Sequence, residues 1–292
     1  MKKIISLSAV LLAGALTTGC ANSGAAGAPA EPAALEQGRA LYEQVSNSLY
    51  GTSADRLAAE KATAARFQGA LATCMKAKGF TYRQAPSEQQ TGGPIGPDDL
   101  SSLTEISDDF GIATAKHHQA EVADVLRKAD EANKMTAEEE VQYAKALSSC
   151  PGVAAKAEQQ ASPIIPTAMG KELTDTFREV EKTPAVADAL AAYGPCMKAA
   201  GIAAKDRSHA YQMALAKFPP ADRGVAAMEA DPQWAEAVAF EKKAAAADAT
   251  CRQPAQDQAL AAAAPRLQTF VTKYQAALDA ADANWTKIRA EV

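Results

Sequence analysis

A short phrase built around cysteine occurs twice in this chain. It reads CMKAKGF at residues 74–80 and CMKAAGI at residues 196–202. The segments further downstream also match, because AKALSSC at 144–150 and AAADATC at 245–251 both end in cysteine. The repeated pattern therefore predicts the same helical unit in each half of the chain. A first helix ends in Cys-Met-Lys-Ala-x-Gly, a loop-rich middle follows, and a second helix ends in cysteine.

The two predicted units extend over residues 35–163 and 164–292. Apart from Cys20 near the start, the chain has four cysteines, two in each unit: Cys74, Cys150, Cys196 and Cys251. Four cysteines allow three disulfide connectivities. If each unit derives from one ancestral copy, each carries its own bond, so we expect Cys74–Cys150 and Cys196–Cys251. The rival pairing, Cys74–Cys196 with Cys150–Cys251, would tie the two units together.

The residue types favour helices throughout. Alanine dominates the chain and aromatic residues make up 5% of it, so helix propensity is high and strand propensity is low. No alternation of apolar and polar residues extends beyond a few positions. We predict an all-α fold with two related disulfide-stapled helical units plus a long C-terminal helix.

Capping residues predict where the helices begin and end. Starts are indicated by Thr52-x-x-Asp55, Thr136-x-x-Glu139 and Asp231-Pro232, which are N-cap patterns. Gly79 and Gly201 fit the left-handed position that ends a helix. Pro195, directly before Cys196, predicts a break that leaves the second phrase as a short separate turn.

Apolar spacing places the cysteines on buried helix faces. In the first helix the apolar stripe comprises Leu57, Ala64, Phe67, Leu71 and Cys74. Near the C-terminus, residues 266–291 carry an apolar seam at alternating spacings of four and three, formed by Leu267, Val271, Tyr274, Leu278, Ala281, Trp285 and Ile288. Such a seam predicts one long helix. It either packs on its own domain or docks on another envelope protein.

The first nineteen residues predict a secretory signal peptide. Lys2 and Lys3 precede a short apolar stretch that ends in small residues, which is the pattern of an export signal. The ending LTTGC resembles the lipobox of bacterial lipoproteins, which implies cleavage before Cys20 and acylation of that cysteine. The alternative is an ordinary signal peptide that contains a cysteine.

Residues 20–34 predict a lipidated cysteine followed by a flexible tether. The stretch from 21 to 34 is mostly Gly, Ala, Ser and Pro, and it cannot bury enough apolar surface to offset its ordering entropy. Its ends would lie about 20 Å apart as a random coil. We therefore expect a protein anchored to the cell membrane by its N-terminal lipid, on the extracytoplasmic face.

The layout resembles alanine-rich secreted lipoproteins of actinobacteria, which are largely uncharacterised. The resemblance rests on the Cys-Met-x-x-x-Gly phrase, its later partner cysteine, and DDFGIATA at residues 108–115. It covers most of the mature chain and implies no known activity.

The sequence contains none of the common catalytic or nucleotide-binding motifs, and we expect no cofactor and no catalytic residues. His117 or His118 could share a helix face with Glu121, but such a pair supplies too few ligands for a metal. We therefore predict no metal site. The net charge of −5 argues against nucleic acid as a partner.

Three classes of function remain open. The first is a non-enzymatic structural or protein-interaction module of the cell envelope, which we favour. The second is a binding module that holds a small molecule or peptide between helices, and the third is an enzyme of unrecognised type. The loop region 84–110 is the first candidate for a binding surface, although its composition is also typical of disorder.

Overall fold

The computed structural model describes residues 29–83, 106–132, 135–150, 152 and 167–291. Helix is the only regular secondary structure within these ranges, which confirms the predicted all-α fold. The predicted signal peptide, Cys20, most of the predicted tether, loop residues 84–105 and the predicted unit boundary at 163/164 lie outside the described residues.

The described part of the chain contains ten helices. They are α1 (Pro32–Tyr50), α2 (Ser53–Ala77), α3 (Ile112–Ala132), α4 (Ala137–Ser148), α5 (Thr167–Glu181), α6 (Pro184–Ala191), α7 (Tyr193–Ala199), α8 (Arg207–Leu215), α9 (Val225–Glu229) and α10 (Pro232–Arg289). None of these helices is both long enough and apolar enough to span a bilayer.

Two disulfides join the cysteines as the repeat predicts. Cys74 is bonded to Cys150 and Cys196 to Cys251, with Cα–Cα distances of 5.9 and 5.6 Å. The sequence separations are 76 and 55 residues. Loops of this length correspond to about 4 kcal/mol of stabilisation each in the chain-entropy model of the unfolded state. Since both bonds lie within the predicted units, the rival pairing of Cys74 with Cys196 and Cys150 with Cys251 is wrong.

The longest element, α10, is the spine of the molecule. Its 58 residues correspond to a length of about 87 Å. The predicted closing helix of unit two and the predicted C-terminal helix at 266–291 are thus one continuous helix. Pro254 and Pro265 both lie inside it, and both are exposed.

The two internal prolines explain why the sequence suggested two helices. Each proline lacks an N–H, so a carbonyl four residues earlier loses its helical donor, at a cost of about 3 kcal/mol. Because both prolines face solvent, they leave the packed face of α10 intact. Burial along that face offsets the cost and keeps the helix continuous.

The main core lies between the C-terminal two thirds of α10 and helices α1, α5 and α6. Its fully buried side chains include Val45, Phe177, Val186, Leu267 and Leu278. Most of the predicted apolar seam is buried here or against α2, since Leu267, Val271, Leu278, Trp285 and Ile288 are each at most 6% exposed. The seam therefore packs on its own chain, which is the first of the two alternatives that the sequence left open.

A second core surrounds the Cys196–Cys251 disulfide. It joins α7, α8 and the N-terminal third of α10 to the start of α3, with Ile112, Met197, Ile202, Ala210 and Ala244 buried. The helical path is interrupted at Ala192, between α6 and α7, and α7 begins three residues before Cys196. The break lies ahead of Pro195 because a proline is tolerated in the first turn of a helix.

Helices α2 and α4 form an arm on the outside of this body. The N-terminal half of α2 contacts the end of α10, where Ala59 packs with Trp285 and Ile288. Its C-terminal half carries α4 through the Cys74–Cys150 disulfide and a small cluster that buries Leu71 and Met75. Leu57 is 43% exposed, and Glu60 and Lys61 interrupt the predicted stripe directly after it, so α2 is more exposed near its start. Here α2 turns a different face to α10.

Candidate functional site

A buried carboxylate from α10 holds the start of α3. The side chain of Glu241 is almost completely buried and accepts three backbone hydrogen bonds. Phe110 N and Ile112 N donate to Oε1 at 3.1 and 2.7 Å, and Ala113 N donates to Oε2 at 3.0 Å. Ile112 N and Ala113 N are among the N–H groups that a helix leaves without partners at its N-terminus, and Phe110 lies just before the helix. Glu241 therefore fixes α3 on the spine.

A second carboxylate ties α3 to the short helix α9. Val225 N, in the first turn of α9, donates to Oδ2 of Asp124 at 3.0 Å. Gly224, just before it, has φ +87° and lies directly against the Asp124 carboxylate. A side chain at residue 224 would collide with that carboxylate, so glycine is required by both the backbone conformation and the close approach.

Between α3 and α10 these ties leave an open cleft of about 420 Å³. Its floor and rim combine apolar, aromatic and polar side chains: Ala113, Thr114, His117, His118, Glu121, Trp234 and Val238. The Trp234 ring is held by an edge contact with Phe218, at a centroid distance of 5.4 Å. We take this α3–α10 cleft as the candidate functional site, because aromatic and apolar groups with a few placed polar groups are typical of binding sites.

Two histidines and two glutamates surround one side of the cleft. His117 Nδ1 and Nε2 lie 3.4 Å from carboxylate oxygens of Glu121 and Glu229, and His118 Nδ1 lies 3.5 Å from Glu121. The histidine–Glu121 proximity anticipated from the sequence is present, and Glu229 is an addition. Within the described ranges, no three His, Cys, Asp or Glu side chains are arranged to hold a metal ion.

A buried charged cluster lies beside the Cys196–Cys251 disulfide. Arg252 donates from Nε and from Nη2 of its guanidinium group to Oδ2 of Asp248, at 3.1 and 2.8 Å. Tyr193 donates its hydroxyl to Oδ1 of Asp248 at 2.8 Å. Arg207 is next to this group, with Nε 3.9 Å from Asp248 and its guanidinium 5.8 Å from the Phe110 ring centre.

The protonation states in this cluster are set by burial and neighbouring charge. Burial, with the adjacent Asp248 carboxylate, raises the pKa of Tyr193 above its ordinary value, so the phenol stays protonated and donates. Burial, with the positive charge of Arg252, lowers the pKa of Arg207 below its ordinary value. The carboxylate thus faces two guanidinium groups and a neutral phenol.

These buried charges join helices to one another. Asp248 and Arg252 on α10 hold Tyr193 of α7, and Glu241 holds α3. Asp55, 3% exposed, accepts a hydrogen bond from the N-cap residue Thr52 at 2.8 Å and pairs with Arg289 of α10. The buried charged side chains in the described ranges are therefore used for packing α10 against its neighbours.

Sequence reasoning missed most of the cleft and the buried charges. Trp234 and Val238 lie more than a hundred positions from His117, and no local pattern connects them. A signal for the buried acids was present, however. Glu241 and Asp248 fall at spacings of three and four among Ala237, Ala244 and Cys251, which places them on the apolar face of the helix.

The loop region 84–110 was the first candidate for a binding surface, and residues 84–105 lie outside the described residues. Its end is described: Phe110 belongs to the second core and is held by Glu241. In comparisons with known proteins, no protein-family model, curated protein or solved structure matches the chain. The resemblance to actinobacterial lipoproteins stays a prediction.

Proposed function

We propose that this protein is a lipid-anchored extracytoplasmic lipoprotein that acts as a non-enzymatic protein-interaction module of the cell envelope. The α3–α10 cleft is its contact site in this proposal. The observation that carries it is the composition of the cleft, where the half-buried side chains of Trp234 and Val238 line an open groove together with Glu121. Tryptophan in a groove is a common anchor of protein interfaces.

The charge around the cleft favours one kind of contact. Glu121 and Glu229 are each about half exposed and place negative charge next to an aromatic floor. A lysine or arginine side chain suits this arrangement, because its stem packs on apolar surface while its charge interacts with carboxylate or aromatic groups. The open shape suits an inserted side chain better than an enclosed ligand.

The two disulfides support the proposed location. Disulfides form and persist outside the reducing cytoplasm, and the signal peptide with Cys20 supplies a route of export. No nucleic-acid partner is proposed, and the membrane is contacted through the N-terminal lipid. The buried charges support a non-enzymatic role, since they are used in joining helices.

The anchor itself is directly testable. In a bacterial host that acylates lipoproteins, we expect the mature chain to begin at Cys20 and to carry acyl groups on that residue. Two or more chains are needed for stable anchoring, so Cys20→Ala should move the protein from the membrane fraction to the soluble fraction. Mass spectrometry of the N-terminal peptide measures the modification. An unmodified wild-type chain released into the medium would contradict the proposal.

The contact site can be tested by photo-crosslinking in intact cells. A benzophenone amino acid at Thr114, an exposed residue on the cleft rim, is expected to form a covalent adduct with one envelope protein. The matched control is the same amino acid at Ala276, which is exposed on α10 and does not line the cleft. Val238→Arg, which adds positive charge inside the cleft, should abolish the adduct at Thr114.

The outcomes separate the candidate functions. Equal adducts at Thr114 and Ala276, or no adduct at either position, would contradict the proposed contact site. The second candidate is a small ligand held in the same cleft, and it is favoured by the cleft volume, which lies in the usual range for ligand pockets. An adduct of small mass on Thr114, absent from Ala276, would support that candidate instead.

A further inference from the structure

Among the residues that the structure describes, helix α4 makes few contacts outside α2. It packs chiefly on the C-terminal half of α2, where Ala146 and Cys150 are buried with Leu71 and Met75. Tyr143 adds an edge contact with Phe80, at a centroid distance of 5.8 Å, and accepts a hydrogen bond from Arg83 N at 3.0 Å. A twelve-residue helix is marginal by itself in water, so the Cys74–Cys150 bond is a major part of what keeps α4 in place.

The two sulfurs of this disulfide differ in their access to solvent. Cys74 lines an open cleft of about 570 Å³ on the surface of α2. The other lining residues are Gly69, Ala70, Thr73, Ala77 and Lys78, and all except Lys78 have short side chains. Cys150, by contrast, is 0% exposed. Because Cys74 is half-buried and lines the cleft, the cleft gives a reagent a route to Cys74 that it does not give to Cys150.

We propose that Cys74 is a site of thiol–disulfide exchange with a small thiol or an exposed protein dithiol. The incoming thiolate bonds to Sγ of Cys74, the Cys74–Cys150 bond breaks, and its electron pair leaves on Sγ of Cys150. Cys150 then takes a proton from water. The products are a mixed disulfide at Cys74 and a thiol at Cys150, so there is no net oxidation or reduction in this step.

The surroundings favour this direction of attack. Lys78 on the rim places positive charge near the approaching thiolate, and a nearby cation favours the thiolate form. The Ala146 carbonyl oxygen lies 3.5 Å from Sγ of Cys150 and can accept the new S–H. Attack on Cys150 would first require α4 to leave α2, because the small cluster around Leu71 and Met75 covers Cys150.

The second disulfide has a different setting. Cys196 is half-buried like Cys74, and Cys251 is 5% exposed in the second core, so the difference lies in how the helices are held. Helix α7, which carries Cys196, is also held to α10 by the Tyr193–Asp248 hydrogen bond and by the fully buried Met197. Cleavage of Cys196–Cys251 would therefore leave α7 docked, whereas cleavage of Cys74–Cys150 releases α4. The arm is the thiol-sensitive part of the molecule.

Partial reaction with reduced glutathione tests the site. The mature, oxidised protein is treated under native conditions, quenched with acid, alkylated with N-ethylmaleimide and mapped by mass spectrometry. We expect glutathione on Cys74 and maleimide on Cys150, formed at least tenfold faster than any label on Cys196 or Cys251. Glutathione on Cys150, or equal rates for the two disulfides, would overturn the proposal.

A matched pair of variants tests the cleft as the route. Ala77 is exposed and lies three residues after Cys74. A side chain on a helix leans over the preceding turn, so Ala77→Leu should cover Sγ of Cys74 and slow exchange several-fold. Ala72→Leu, at an exposed position of α2 outside the cleft, should leave the rate unchanged. Equal rates in the two variants would overturn the route.

Amide hydrogen exchange reports the release of α4. After glutathione reaction, residues 137–148 should exchange much faster, while the buried parts of α1 and α10 keep their protection. Unchanged protection of α4 would overturn the conclusion that this disulfide holds α4 on α2.

Discussion

Replacing Gly38 with alanine is expected to destabilise the protein by about 2 to 3 kcal/mol, because overpacking between backbones cannot be relieved by a side-chain rotation. A Cβ on Gly38 would lie 2.6 Å from the carbonyl carbon of Leu260 and closer still to its oxygen. Both groups belong to helix backbones, so α1 and α10 would have to move apart. That movement would open the main core along Leu41, Val45 and Leu267.

The matched control is the same substitution at Gly69 in α2. A Cβ on Gly69 would meet no atom within 4 Å, and alanine is favoured over glycine in a helix interior by about 1 kcal/mol. Gly69→Ala should therefore stabilise the protein while Gly38→Ala destabilises it. Urea unfolding followed by far-ultraviolet circular dichroism gives both free energies. A neutral or stabilising Gly38→Ala would show that α1 does not approach α10 this closely.

Local sequence signals were sufficient to predict several helix ends, and the internal repeat was sufficient to predict the disulfides. Thr52 and Thr136 both form the capping boxes that their sequences indicate. Gly79 and Gly201 have φ values of +84° and +78°, as the left-handed cap position requires. Each of these features depends on a few neighbouring residues, so the sequence alone could identify it.

The partners of each helix could not be predicted in the same way. Periodicity identifies which face of a helix is buried but not which element covers it. The seam of α10 was recognised, whereas α1, its main cover, was not identified as a helix and its first residues were assigned to the tether. Gly38 lies in that helix, and its role depends on a backbone more than two hundred positions away.

The sequence likewise could not predict which helices come together to form the candidate cleft. His117, His118 and Glu121 were recognised as neighbours because they share a helix face. Trp234 reaches them because Glu241 fixes the start of α3 against α10. Glu229 reaches them because Asp124 holds α9 against α3. Those contacts involve side chains that local patterns would assign to solvent, since isolated acids in alanine-rich helices are usually exposed.

The buried ion pair in the second core gives the other large expected effect. Asp248→Asn should lower the free energy of unfolding by about 3 to 5 kcal/mol, the usual cost of removing one partner of a buried pair. Asparagine preserves the size of the side chain and can still accept the Tyr193 hydroxyl. What it removes is the negative charge that the buried guanidinium of Arg252 pairs with and that Arg207 lies beside.

The same helix offers a control with the same residue types. Asp257 pairs with Arg39 at 3.2 Å, and the arginine side chain is 50% exposed. Because water can replace that contact, Asp257→Asn should cost at most about 1 kcal/mol. Denaturant unfolding of the two variants measures the difference. Similar small losses in both would contradict a large contribution of the Asp248 charge to stability.

An apolar replacement of the whole cluster separates charge from packing. Tyr193→Phe, Asp248→Leu and Arg252→Met together remove the donors and acceptors of the pair, and Arg207, whose side chain is 16% exposed, can turn toward solvent. Buried ion pairs can often be replaced by apolar residues of similar size at little cost. The triple variant should therefore be more stable than Asp248→Asn alone, although it carries more substitutions. A triple variant less stable than the single one would indicate that the cluster contributes net stability through its hydrogen bonds, beyond the penalty of removing the Asp248 charge.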